Sequence, residues 1–282
     1  MKLYRFNLKE KINQNDENLI MILGSFESLH LGHFSLIKKA KEIQNIEEDK
    51  NWKIALLMFK NPIRNGKMSD KKLLQLKVRA ITLANLEIDY LYAIEDVEEI
   101  MKIDAEKFVE ILEKNNVKKV VCGEDFRFGF SRKGDINLLK NYFETHIVEL
   151  KKISENKISS TLINELILDG KIKEANELLI ENYAIITNFD RLKFTFSESL
   201  NLPKKGIYLV NCVIKDYEFH GLSLIGLNEN ICYLFDLEFV ISKHEEVYME
   251  FLDSLRFIET KKDDGIFEED IENAKKYFLQ KK

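Results

Sequence analysis

Apolar positions along this chain fall into two regimes. From Leu19 to about Tyr183, short unbroken apolar runs alternate with stretches whose apolar residues recur every three or four positions; beyond that, apolar and polar residues alternate one by one. An unbroken run of about five reads as a strand buried on both faces, a three-and-four spacing as a helix with one apolar side, and strict alternation as a half-buried strand. These rules make strands of Leu19–Leu23 (LIMIL), Lys53–Phe59, Asp89–Ile94 and Val117–Cys122. They make helices of Phe34–Ile46, Lys71–Leu86 and Ala105–Asn115, the first placing Leu36, Ile37, Ala40 and Ile43 on one face.

Strands that alternate with amphipathic helices imply a doubly wound α/β fold, because parallel neighbours need a crossover helix. Ligands of such sheets sit at the carboxyl ends of the strands, which points to the loops Gly24–His33, Lys60–Ser69 (with Pro62 and Gly66) and Gly123–Asp135. Two more helices follow at Lys157–Leu168 and Ile172–Leu179. The period-two segments Gly206–Ile214, Phe219–Ile225 and Ile231–Val240 then predict an antiparallel sheet or small barrel, followed by a helix over Glu268–Leu279. The change of pattern divides the chain into domains at 1–182 and 183–282.

Composition narrows the function classes. With 282 residues and 45% hydrophobic content, the chain can bury a real core. Its 43 basic and 48 acidic residues are dispersed and sum to −5, so no bulk electrostatic grip on nucleic acid is expected and any anion site is local. Cys122, Cys212 and Cys232 lack metal-ligand spacing and read as inert buried thiols. No apolar run approaches membrane-spanning length and the N-terminus lacks a signal-peptide core, so a cytoplasmic protein without a membrane partner is expected.

Three stretches carry candidate chemistry. In GSFESLHLGH, a strand ends at Gly24 and a helix starts near Phe34, and a helix N-terminus with unpaired N–H groups receives anions. His30 and His33, flanking Gly32, can turn ring N–H groups toward the same phosphates. In GEDFRFGFSRKGD, Phe126, Phe128 and Phe130 stand among Arg127, Arg132 and Lys133, which suits a planar phosphorylated ligand. The competing reading makes these rings a plug at the sheet's end. Ser159, Ser160 and Thr161 head a helix, either as simple caps or as ligands for terminal phosphates.

The first motif is similar to that of the HxGH nucleotidyltransferases. Taken in order, GSFESLHLGH, VVCGEDFRFGFSRKGD, ISSTLINELI and GKIKEANELLIENYAI resemble the bacterial FAD synthetases, usually bifunctional proteins with an FMN adenylyltransferase domain and a riboflavin kinase barrel. The likeness runs in register from about Leu19 to Tyr183 and more faintly to the end. It implies a Rossmann-like parallel-sheet nucleotidyltransferase domain and a small antiparallel β-barrel with a C-terminal helix. It also implies small-molecule substrates, ATP and FMN, with Mg²⁺ on the phosphates and no metal site built by the protein alone. Gly24, Ser25, Phe26, His30, Gly32 and His33 fall on the first ATP motif, with His30 and His33 as catalytic groups, and Ser159, Ser160 and Thr161 fall on the second. Gly123, Asp125, Phe126, Phe128 and Gly129 fall on the nucleotide and flavin loop, to which Arg132 adds a cation.

The departures are specific. Ser25, Glu27 and Ser28 stand where the family usually reads GNFDG, and Lys60, Asn61, Pro62 and Ile63 replace a PHP-type segment. Asn164 replaces the arginine that ends ISSTxIR, leaving Arg132 or Lys157 as possible substitutes. The kinase's glycine-rich and PTAN segments are missing between Tyr183 and Pro203, and its catalytic glutamate aligns with Ile231. An adenylyltransferase without kinase activity is expected; a non-catalytic flavin or nucleotide binder and a fully bifunctional enzyme are the alternatives.

Overall fold

The computed structural model describes residues 1–6, 8–9, 11–12, 17–46, 51–64, 67–69, 71–149, 152–153 and 156–280. It contains two compact units, one of Met1–Lys72 with Arg79–Ile158, the other of Leu73–Val78 with Ser159–Lys282. Gly66 lies outside the described residues.

The first unit is built on a six-stranded sheet, numbered here β1 (Lys2–Arg5), β2 (Leu19–Leu23), β3 (Lys53–Phe59), β4 (Tyr90–Ile94), β5 (Val117–Gly123) and β6 (Glu144–Val148). Its spatial order is β1-β4-β3-β2-β5-β6 and every pairing is parallel. All five residues of β2 are buried, as a central parallel strand requires. Leu19, Met21 and Leu23 join Val120, Cys122, Phe108, Val109 and Leu112 in one core cluster. The alternate residues Ile20 and Ile22 are buried on the other side of the pleat. Helix α1 (Leu31–Ile46) buries Leu36, Ile37, Ala40 and Ile43, as the spacing predicts.

Helix α2 (Leu76–Asn85) starts five residues later than its periodicity predicts. The Ser69 hydroxyl holds Lys71 in a turn, accepting its N–H at 3.2 Å and donating to its carbonyl at 2.8 Å. Helix α3 (Val97–Lys102), capped by Asp96, was not predicted, being only six residues long. Helices α4 (Ala105–Lys114) and α5 (Ile136–Lys140) complete this unit's longer elements. The pattern also missed β1 and β6, because edge strands such as KLYR and ETHIV lack a continuous buried run. β1 is held through Tyr4, whose ring lies 6.0 and 5.9 Å from those of Tyr90 and Tyr92.

In the second unit, α6 (Ser160–Leu168) and α7 (Ile172–Leu178) precede a closed antiparallel barrel. Its strands are β7 (Ala184–Asp190), β8 (Lys193–Phe194), β9 (Gly206–Ile214), β10 (Tyr217–Ile225), β11 (Asn230–Leu234) and β12 (Lys243–Phe257), in the order β7-β8-β11-β10-β9-β12 with β12 returning to β7. Lys215 and Asp216, at φ of 50° and 69°, form the tight two-residue turn between β9 and β10. The third predicted strand stops at Leu234 rather than Val240, where Asp236 turns left-handed at φ 55°. Register shifts along β9 bend the fifteen-residue β12 so that it pairs on both edges.

Helix α8 (Glu268–Gln280) packs Ala274, Ile271 and Phe278 on the cluster of Ile207, Leu209, Leu222 and Leu224. Its first turn is tied by Asp270, whose carboxylate takes two 2.8 Å bonds from Arg256 and a 2.9 Å bond from the Phe267 N–H. Arg256 also donates to the Asp263 and Gly265 carbonyls at 2.9 and 2.6 Å. Asp270→Ala leaves that network without its acceptor and is expected to cost about 2–3 kcal/mol, discounted from a fully buried pair because Arg256 is partly exposed. A urea unfolding midpoint equal to that of the parent would refute this.

Candidate functional site

Strands β2, β3 and β4 succeed one another toward one side of the sheet, whereas β5 and β6 lie on the other side of β2. The chain therefore reverses its direction of winding between β2 and β5, and loops diverge there to leave a crevice at the carboxyl ends. Leu23, the last residue of β2, pairs with Leu57 on one side and Cys122 on the other. The loops after β2 and β5, both singled out by sequence, thus leave the sheet side by side.

The β2 loop is built by close packing of rings against a helix start. The Phe34 N–H donates to the His30 carbonyl at 3.0 Å, so α1 begins with His30 as its cap. The His30 ring then turns back, and its Nδ1 accepts the N–H groups of Gly32 at 3.1 Å and His33 at 3.3 Å. Two N–H groups expected to be open to an anion are therefore capped by the histidine itself. With Nδ1 an acceptor, the neutral ring carries its proton on Nε2. A side chain at position 32 would put its Cβ 3.0 Å from the His30 ring, so glycine is what lets the ring fold back.

The His30 and His33 rings stack with centroids 3.7 Å apart and planes 18° apart. Beneath them the Phe26 ring lies 4.6 Å from His33. Phe26 is fully buried and held at φ 47°, a left-handed conformation that an aromatic residue seldom adopts. Gly24 makes room for it, because a Cβ there would come within 2.8 Å of the Phe26 ring. His30 and His33 are only 9% and 8% exposed, more buried than loop residues at a helix start would suggest. Ser28 is buried as well, whereas Ser25 is exposed.

Sequence patterning did not identify Arg79. Its side chain is 1% exposed, and it donates to the carbonyls of Phe26 and Phe59 at 2.9 Å each and of Lys60 at 2.5 Å. Burial pushes the guanidinium down to about 10, an effect opposed by the negative charge of Glu27. Lys72 is lowered too, first by burial and then by the charges of Arg79 and Lys60, and its Nζ lies 3.5 Å from the Asn61 side-chain oxygen. The end of β3 thus carries three cations. The available signal was an arginine among apolar helix positions (Val78, Thr82, Leu83), which the periodicity placed on α2 without a role.

The β5 loop closes on itself. Phe128 and Gly134 exchange backbone bonds of 3.1 and 2.9 Å, and between them Gly129, Ser131 and Arg132 take φ of 71°, 53° and 58°. Gly129 and Gly134 are required by space, since a Cβ on either would come within 3 Å of Ala105. Phe128 is buried, 5.2 Å from Phe108 and 5.7 Å from Phe126, which is itself partly buried against the core. Phe130 is 48% exposed, and Asp125 and Arg132 are exposed as well. Arg127 is spent on Asp135 at 3.2 Å, and Asp135 caps α5 through the Leu138 N–H at 3.1 Å. Gly123 ends β5 and its carbonyl accepts the Phe126 N–H. Burial pushes the neighbouring Cys122 thiol up to about 11, and all three cysteines are buried and unbridged.

Ser159, Ser160 and Thr161 belong to the second unit. Ser159 caps α6 by accepting the Leu162 N–H at 3.3 Å, Ser160 opens the helix, and Thr161 is exposed. Asn164 accepts a 2.5 Å bond from the Asn201 amide. The side chain of Lys157 lies outside the described residues. In the barrel, the interval expected to carry the kinase's nucleotide loop is a hairpin in which Phe189 pairs with Phe194, and Ile231 pairs with Lys193 and Leu224. Among the described residues, no group of three or more His, Cys, Asp or Glu side chains could hold a metal ion, and no helix is long and apolar enough to cross a membrane.

The chain as a whole is similar to known proteins. The FAD synthetase family model matches residues 12–164, more than half of the chain. A bifunctional riboflavin kinase/FMN adenylyltransferase of Listeria monocytogenes is 29% identical, the match covering 83% of this chain and 82% of the relative. A protein of the same description from Buchnera aphidicola subsp. Schizaphis graminum is 33% identical over 66% of this chain and 61% of its own length. Another from Buchnera aphidicola subsp. Acyrthosiphon pisum is 25% identical over 99% and 98%. A crystal structure described as a macrolide-efflux protein from Streptococcus pneumoniae shares the fold, with a TM-score of 0.78, 22% identity and coverage of 99% of this chain and 96% of that one. With its histidine loop and phenylalanine loop inside the matched residues, the chain belongs to the FAD synthetase family.

Proposed function

We propose that this protein transfers the adenylyl group of ATP to FMN, releasing FAD and pyrophosphate, and that it has no riboflavin kinase activity. The transfer is assigned to residues 1–182, and residues 183–282 are read as a kinase-like barrel retained as a fold. The observation that carries the reading is the His30–His33 stack on the N-terminus of α1, beside the β5 loop at the sheet's switch point.

In this reading an oxygen of the FMN phosphate attacks the α-phosphorus of ATP. The new P–O bond forms as the α–β bridging P–O bond breaks, and pyrophosphate leaves with the bonding electrons. No protein nucleophile is required, so catalysis consists of positioning the phosphates and stabilising their charge. His30 and His33 supply ring N–H donors backed by the positive end of α1. Gly24, Ser25, Phe26 and Gly32 shape that loop, and Ser159, Ser160 and Thr161 are assigned to terminal phosphates. Gly123, Asp125, Phe126, Phe128 and Arg132 are assigned to the nucleotide and flavin. Phe128 supports this from the core, and the partly buried Phe126 is the ring with more face to offer.

Mg²⁺ binds nucleotide phosphates largely through the phosphate oxygens and its own water, so the ion would arrive on the phosphates of ATP. When bound it supplies charge neutralisation on the phosphates.

Loss of the kinase reaction is supported by Ile231, which cannot take a proton from a hydroxyl, and by the short hairpin of β7 and β8. One observation favours a second reading, a flavin or nucleotide binder without turnover: Asn164 cannot act as a cation and its amide is engaged by Asn201. Incubation of the purified chain with ATP, Mg²⁺ and either FMN or riboflavin separates the readings. FAD from FMN and no FMN from riboflavin is the expected result; FMN binding without FAD would establish the second reading.

His30→Ala and His33→Ala are each expected to lower kcat for FAD formation by about 10²–10³-fold, the usual cost of one charge-stabilising donor. His30→Ala also removes the cap of α1 and should cost about 1 kcal/mol of stability in thermal unfolding. Full activity in either variant would remove that histidine from the reaction.

A further inference from the structure

We propose that Arg79 is a positioning residue for the histidine pair, tying the loop after β2 to the end of β3 and thereby fixing the ring of Phe26 on which His33 and His30 are stacked. The proposal rests on the reading of His30 and His33 as phosphate-binding groups.

A guanidinium withdrawn from water is costly unless its donors are paired, and a carboxylate is the usual partner. Arg79 is 1% exposed, and its hydrogen bonds run to three neutral carbonyls; among the described residues its Nε has no hydrogen-bond partner, and the charge of Glu27 offsets only part of the effect of burial. An apolar side chain would fill the same space at lower electrostatic cost. What it could not do is hold three carbonyls from two segments in one plane, which the rigid guanidinium fork does.

The carbonyls define what is held. Those of Phe59 and Lys60 belong to the last residue of β3 and the first beyond it, and that of Phe26 belongs to the left-handed residue of the β2 loop. β2 and β3 are adjacent in the sheet, so Arg79 braces two neighbouring strand ends across the point where their backbones part. A strained φ persists only where its surroundings fix it. The Arg79 bond to the Phe26 carbonyl and the packing of its ring against Gly24 are two such constraints. From Phe26 the contacts run upward without a gap: 4.6 Å to the ring of His33, 3.7 Å from His33 to His30, and 3.1 Å from His30 Nδ1 to the Gly32 N–H. Releasing the Phe26 carbonyl frees the base of this stack. Lysine at position 79 retains a charge but not the planar fork.

The test reads the rings directly. Five histidines give five Cε1–H signals in the full-length protein, and His146, His220 and His244 serve as internal controls of folding. Spectra, ATP binding by calorimetry and FAD-forming kinetics are compared for the parent, Arg79→Lys and Arg79→Met. The expected result is displacement of the His30 and His33 signals while the other three hold, with ATP affinity and kcat each reduced about ten-fold or more. Unmoved His30 and His33 signals in a folded Arg79 variant would overturn the proposal. If neither variant folds, Arg79→Gln, which keeps a planar donor for the Phe26 carbonyl but not the fork that spans both strand ends, decides: displaced His30 and His33 signals support the proposal and unmoved signals overturn it. A parent protein that fails to bind ATP would sink the functional reading instead, and the ring signals would still decide the role of Arg79.

Discussion

The candidate site depends on one hydrogen-bonding constraint: the first turn of α1 is capped by the side chain of His30. A helix start has N–H groups without intrahelical partners, and in many phosphate sites the ligand supplies the acceptor. Here Nδ1 of His30 takes the N–H groups of Gly32 and His33. The helix start is therefore closed by the imidazole, whose proton is driven to Nε2 by the same two bonds. This explains the motif's spacing. A residue at the cap position reaches N–H groups two and three residues on, so a histidine at 30 needs glycine at 32 and meets the residue at 33.

The other residues of the loop follow from supporting two stacked rings. Phe26 forms the floor, and its bulk explains why Gly24 must lack a side chain. Its left-handed backbone aims its carbonyl at Arg79, so the cost of burying that charge and the cost of the strained φ sit at one contact. The β5 loop repeats the arrangement with different parts. Gly129 and Gly134 press backbone against Ala105, Phe128 fills the space above Phe108, and strain is concentrated at Ser131 and Arg132. In both loops a buried phenylalanine anchors the turn and leaves polar residues at the rim.

What the sequence reveals follows burial. β2 and β3 were legible because a central parallel strand is apolar on both faces, and β9 was legible to the residue because it is a nearly unbroken apolar segment, buried everywhere except at Asn211 and Val213. β1 and β6 were not, because an edge strand keeps its place through backbone pairing and a few ring contacts that leave little mark on the pattern. At the site, His30, His33 and the glycines could be read from spacing. The burial of both histidines could not, since it arises from stacking between residues three apart and a ring below them. Arg79 was hidden for the opposite reason: its partners are backbone carbonyls 53, 20 and 19 residues away, which no pattern in side-chain identity records.

The barrel closes through backbone and packing alone. Its closure rests on backbone pairing, on Gly206 and Gly221, whose missing side chains let β9 and β10 approach Arg256 and Tyr233, and on an interior of Tyr208, Phe189 and Phe251. None of these requires a catalytic carboxylate. Half-buried Ile231 keeps register with Leu224 and Lys193 and packs against the cluster of Ile207, Leu209, Leu222 and Leu224. Likewise the two-residue turn between β7 and β8, with Arg191 at φ 63°, joins strands whose edges must pair in any case. Packing therefore accounts for the closure of this barrel, whereas the histidine loop of the first unit keeps strain at Phe26 and a buried charge at Arg79, features that packing alone does not require.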